Sequence, residues 1–190
     1  MSRALISWSG GKDSVWALRL ARESGLQPGA LLTSYSEASG EIPIHNVAMS
    51  SIEGHSEILG LPLRTVPLPW PCNNEEYVRR MTAAWQAAAL DGFDSIVFGD
   101  IHLADIRDFR EKALAGTGLK PVFPLWGINP AQLAQDIIAG GINATISAVD
   151  ERHLSRDYVG QRYDLSFLAA LPPHVDPCGE NGEFHTVVHL

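Results

Sequence analysis

Short apolar runs alternate with longer stretches whose apolar positions recur every three to four residues, and the alternation holds through most of the chain. Residues 3–8 are the first strand candidate. Behind them Val15, Leu18 and Ala21, with Trp16 and Leu20, fall at helical spacing. A turn at Gln27-Pro28-Gly29 leads into a second strand over about 30–34, then a helix over roughly 49–59 and a third strand near 63–68. Pro67, Pro69 and Pro71 remove donors and fix the backbone, so irregular structure is predicted from 67 to 71. Asn73 or Asn74 caps a long helix through Leu90 that ends at Asp91-Gly92. A fourth strand at 95–98, a helix at about 104–114 and a fifth strand at 120–123 complete a run of βαβ units, the signature of a parallel sheet.

After Pro124-Leu125-Trp126-Gly127 the pattern changes. One more helix (130–139) and strand (144–149) precede a polar stretch read as helical, with Asp150-Glu151-Arg152 as its solvated start. A Pro-Pro turn at 172–173 and a terminal strand at 184–189 follow. Two domains are expected: a nucleotide domain over 1–125 and a smaller, substrate-facing α/β appendage over 126–190.

Composition narrows the class. With 190 residues, 45% of them hydrophobic and 19% charged, the chain buries enough surface to fold without staples. Cys72 and Cys178 are too few for a disulfide framework or a zinc site. No apolar run approaches the roughly 20 residues that cross a bilayer, and nothing at the N-terminus looks like a signal peptide. The expected setting is the cytoplasm, with no membrane partner. The net charge is −8, and no basic cluster exceeds Arg79-Arg80. Proteins that hold nucleic-acid backbones show a basic stripe, so no stable nucleic-acid complex is expected.

The sharpest local signal is Ser9-Gly10-Gly11-Lys12-Asp13-Ser14, placed after a buried strand and before a helix. Its glycines let the backbone approach phosphate oxygens, and the helix that follows offers unpaired amides and its dipole. Lys12 supplies a point charge, and Ser9 and Ser14 supply hydroxyls. Asp13 would repel phosphate unless it holds a metal or caps the helix, and so it points to Mg²⁺. The hexapeptide is neither a Walker loop nor Gly-x-Gly-x-x-Gly.

It resembles the PP-loop of the N-type ATP pyrophosphatases. Gly99-Asp100-Ile101, then Arg107, Arg110 and Glu111, then Gly118-Leu119-Lys120-Pro121 and Pro124-Leu125-Trp126 resemble one branch of that group, the diphthine–ammonia ligase-like family. So does the terminal Gly179-Glu180-Asn181-Gly182-Glu183-Phe184-His185-Thr186, which departs from the Gly-Glu-Gly-Gly-Glu-Tyr-Glu-Thr form at residues 181, 184 and 185. The resemblance runs from Ser7 to Val188. It implies an α/β fold, a doubly wound parallel five-stranded sheet ordered 3-2-1-4-5, of the adenine nucleotide alpha-hydrolase-like type. The crevice lies between strands one and four.

The same resemblance implies an ATP-dependent amide-forming ligase. A substrate carboxylate, protein-borne diphthine or a small metabolite, is adenylated, pyrophosphate leaves, and ammonia displaces AMP. ATP would lie against the six loop residues, Ser34, Gly99 and Asp100, with Mg on Asp13. Lys12, Asp13, Arg107 and Glu183 are expected to be catalytic. His45, Glu111, Glu180, Asn181, Glu183 and His185 are expected at the acceptor. Other readings of the same residues are an exposed ion pair for Arg107 and Glu111 and a solvated Asn-Gly turn for the terminal motif. Rival functions are a tRNA-modifying pyrophosphatase and a nucleotide-sensing regulator. A homodimer stays open.

Overall fold

The computed structural model describes residues 2–44 and 46–190. In chain order the elements are β1 (Arg3–Ser7), α1 (Lys12–Glu23), β2 (Gln27–Ser36), β3 (Glu41–Ile42), β4 (Val47–Ala48), α2 (Met49–Leu59) and β5 (Leu63–Leu68). Then come α3 (Asn74–Leu90), β6 (Ser95–Val97), α4 (Ala104–Leu114), β7 (Lys120–Val122), α5 (Pro130–Ala139), β8 (Ala144–Val149), α6 (Leu165–Ala170) and β9 (Phe184–Val188).

Five strands form one sheet in the order β5-β2-β1-β6-β7, every neighbouring pair parallel. Numbered by appearance within that sheet, the order is 3-2-1-4-5, as expected. Alternate strand residues feed two cores, because successive side chains point to opposite faces. Ala4, Ile6, Leu31 and Val97 pack with Trp16 and Leu18 of α1, Ile52 of α2 and Leu133 and Ile137 of α5. Leu5, Leu32, Val66 and Ile96 pack with Met81 and Trp85 of α3 and Leu114 of α4. The sheet is therefore doubly wound.

Three local expectations are corrected. Residues 27–29 are not a turn but the start of β2, where Gln27 and Pro28 pair with Arg3 and Ala4 and the Gln27 N–H bonds to the Ser2 carbonyl at 3.0 Å. Pro67 lies within β5, opposite Tyr35; β5 is an edge strand, which tolerates a missing donor. The polar stretch after 149 begins as a turn, since the Asp150 carboxylate accepts from the Arg152 N–H at 3.0 Å and from its guanidinium. Its helical content is a 3-10 turn at Arg156–Tyr158 and the short α6. The small antiparallel pair β3–β4 was not foreseen.

β8 and β9 form a second, antiparallel sheet. Its buried side chains, Ala144, Ile146, Phe184 and Val188, join the same cluster as Ala4 and Leu18, so the terminal strand is packed into the main core. No helix among the described residues is long and apolar enough to cross a membrane.

Candidate active site

The phosphate loop leaves β1 and enters α1 through Gly10 and Gly11. Gly10 has φ +77°, and a Cβ there would come within 2.7 Å of Ile52 Cδ1, so both its conformation and its surroundings demand glycine. Gly11 is the N-cap of α1, and no side chain caps that end. Ser14 Oγ donates to the Gly11 carbonyl at 2.8 Å, and the Gly11 N–H donates to Ser9 Oγ at 3.3 Å.

The loop is braced from behind by β9. The Val188 N–H donates to the Gly10 carbonyl at 2.9 Å, and the Lys12 N–H donates to Thr186 Oγ1 at 3.1 Å. His55 ties the brace to the sheet. Its Nδ1 accepts from Trp8 Nε1 at 3.3 Å, and its Nε2 meets the Val188 carbonyl at 2.9 Å. That pattern requires the neutral ring with its proton on Nε2, and burial lowers the pKa accordingly.

Lys12 turns inward. Its side chain is 2% exposed, and Nζ donates to Asp13 Oδ2 at 2.9 Å and to the Cys178 carbonyl. The rings of Tyr163 and Phe184 lie 5.2 and 5.4 Å from it. Burial disfavours the ammonium, but Asp13, with smaller contributions from Cys178 and Glu180, holds the pKa above the ordinary lysine value. The other Asp13 oxygen, Oδ1, is buried without a hydrogen-bond partner. An orphaned carboxylate oxygen suits a hard cation such as Mg²⁺, which takes few protein ligands and keeps waters and phosphates. Among the described residues no group of three or more His, Cys, Asp or Glu is placed to hold a metal by itself.

The opposite lip follows β6. A Cβ on Gly99 would sit 3.1 Å from the Asp13 backbone carbon, so the two lips touch here. Asp100 accepts two bonds from Arg110, at 2.6 and 3.1 Å, and the guanidinium of Arg110 lies 4.4 Å over Phe98. Glu180 reaches this lip from the terminal motif: its Oε1 accepts from the Ile101 N–H at 2.8 Å. Burial, with the charges of Asp13 and Asp100, pushes its carboxyl up to about 7.

Between the lips lies a cleft of about 530 Å³. Of the residues singled out in the sequence, Ser9, Gly11, Lys12, Asp13, Ser14, Ser34, Gly99, Asp100, Glu180 and His185 line it. Gly10 supports it from behind. Burial and the nearby Lys12 charge lower the His185 pKa to about 4, so its ring is neutral in neutral solution.

Besides Gly10, four expected residues do not line the cleft. Arg107 bonds to Glu111 at 2.8 Å and packs 5.0 and 4.7 Å over Phe123 and Trp126. Glu183 is 2% exposed and accepts from the N–H groups of Asp176 and Asn181, each at 3.0 Å, and from the Asn181 amide at 2.9 Å. Burial opposes its charge, yet these bonds hold its carboxyl below the usual range. It shapes the terminal turn, and Asn181 is its partner. His45 lies outside the described residues. In their place the structure adds Arg110, Trp70, Tyr77 and Thr186 to the walls. Arg110 was legible as a motif member three residues past Arg107, but the spacing did not say which arginine faces the crevice.

A family model described as the diphthamide synthase N-terminal domain matches residues 2–121. Among solved structures, the chain is similar to a predicted subunit of a tRNA methyltransferase from Methanocaldococcus jannaschii, at 18% identity over 83% of each chain and a TM-score of 0.47. No curated protein matches.

Proposed function

We propose that this chain, which belongs to the diphthamide synthase N-terminal domain family of PP-loop ATP pyrophosphatase-like proteins, is an ATP-dependent ligase that converts a carboxylate to an amide. The carrying observation is a phosphate loop that lines the cleft together with Asp13, whose Oδ1 is buried and unpartnered.

In this reading the triphosphate lies on the loop amides and the N-terminus of α1, with the Ser9 and Ser14 hydroxyls beside it. Ser34, at the end of β2, faces the nucleoside. Mg²⁺, held by Asp13, supplies counter-charge to the phosphates when bound. An oxygen of the acceptor carboxylate attacks the α-phosphorus, the bond to the β-phosphate oxygen breaks, and pyrophosphate leaves. Ammonia nitrogen then attacks the acyl carbon, the carbon–oxygen bond to AMP breaks, and the nitrogen gives up a proton. Glu180, poised near 7 in the cleft, is suited to accept that proton. Lys12 fixes Asp13 and adds charge at the base of the loop. Residues 1–125 form the nucleotide half, and 126–190 contribute the acceptor side. The acceptor is diphthine on a protein or a smaller carboxylate.

Incubation with ATP, ¹⁵N-ammonium and ¹⁸O-labelled carboxylates tests the reading. A ¹⁵N amide with one ¹⁸O atom in the AMP phosphate is expected. ATP turnover that requires tRNA, with no ¹⁵N amide formed and no ¹⁸O in the AMP, would transfer the nucleotide chemistry to a tRNA-modifying reaction.

A further inference from the structure

A polyanionic ligand in this cleft needs a cation that faces it, and the walls offer few. Among the described residues lining the cleft, Lys12 and Arg110 are the only lysine or arginine. Lys12 is 2% exposed, and its ammonium is committed to Asp13 and the Cys178 carbonyl between two aromatic rings. His185 is neutral in neutral solution. Arg110 keeps 23% of its side chain exposed and stands on the lip that touches Asp13 through Gly99.

Its guanidinium is already oriented. Asp100 binds Nε and Nη2, the Phe98 ring supports one face, and Tyr77 is a further neighbour. A bidentate carboxylate takes two of the five N–H donors, leaving others for a ligand. A guanidinium fixed in this way loses little side-chain freedom when it binds an oxyanion. We infer that Arg110 is the residue that contacts the β- and γ-phosphate oxygens of ATP, and the pyrophosphate they become, across the cleft from the phosphate loop. The assignment rests on the ATP reading above. It stands in the cleft where Arg107, expected to be catalytic, does not: the Arg107 guanidinium lies over Phe123 and Trp126.

Calorimetric titration with Mg-pyrophosphate, Mg-ATP and AMP tests it. Arg110→Gln should weaken Mg-pyrophosphate and Mg-ATP by at least about tenfold, the scale of one charge-assisted hydrogen bond, and leave AMP within about twofold. Arg107→Gln should bind all three as the wild type does. Because Arg110→Gln strands the Asp100 charge, the double variant Asp100→Asn/Arg110→Gln removes the pair as a unit and is measured beside it. Persistent loss of pyrophosphate binding in the double variant supports direct contact. Recovery there would show that Asp100 repulsion caused the loss, and it would overturn the assignment. Equal binding by wild type and Arg110→Gln overturns the assignment alone. A wild type that binds neither phosphate ligand contradicts the ATP reading and the assignment with it.

Discussion

The hydroxyl of Thr186 accepts a hydrogen bond from the backbone N–H of Lys12 at 3.1 Å, joining residues 174 positions apart. Thr186 is 2% exposed, and its carbonyl also limits the space beside Gly11. The terminal strand therefore helps to shape the phosphate loop. Thr186→Val keeps the volume but leaves the Lys12 amide without its acceptor. An unsatisfied buried donor costs about 1–3 kcal/mol. Denaturant unfolding should show a loss in that range, with weaker nucleotide binding, and Thr186→Ser should restore both. Unchanged stability and affinity in Thr186→Val would show that the brace is dispensable.

Gly99→Ala tests the contact between the lips. The new Cβ would lie 3.1 to 3.2 Å from the Asp13 backbone, tight enough to push the lips apart by a few tenths of an ångström. Mg-ATP affinity should fall several-fold while the circular dichroism spectrum keeps its wild-type shape. Wild-type affinity would mean that the lips move freely.

The sheet was legible because its elements carry local signals. Asn73 caps α3 by accepting from the Glu76 N–H at 2.8 Å, and Pro130 opens α5 just inside its Asn129 cap. The strand order came through the motif resemblance, and the sheet bears it out. The β3–β4 pair escaped because two-residue strands have no period to detect. The union of β9 with the loop escaped because no local pattern encodes a bond between residues 12 and 186. Glu180 and Glu183 look equivalent in the motif, yet one reaches the cleft and the other closes its own turn.

Lys12→Ala should be costly in two ways. It removes the partner of Asp13 and the donor to the Cys178 carbonyl. Breaking a buried ion pair from one side typically costs about 3–5 kcal/mol. A marked fall in melting temperature and loss of pyrophosphate release are expected. A variant as stable as wild type that still releases pyrophosphate would contradict the role given to Lys12.

Acid sensitivity should follow the histidines. His185 is lowered to about 4 and His55 is lowered as well, against an ordinary value of 6.5. The unfolded chain then binds more protons than the native one between the folded and unfolded values, so stability falls as pH drops below about 6.5. Glu180, raised to about 7, acts oppositely: its share of stability is lost as pH rises from 4.5 through 7. Unfolding measured from pH 4 to 8 should show a weaker acid slope in His185→Gln. An unaltered slope would mean that this ring does not carry the effect.

The central claim is cleavage between the α- and β-phosphates of ATP. ³¹P NMR of the protein with Mg-ATP, ammonium and a panel of carboxylates reads it directly. AMP and pyrophosphate should accumulate in equal amounts with an accepted carboxylate. Accumulation of ADP and orthophosphate, or no consumption of ATP with any carboxylate, would contradict the account.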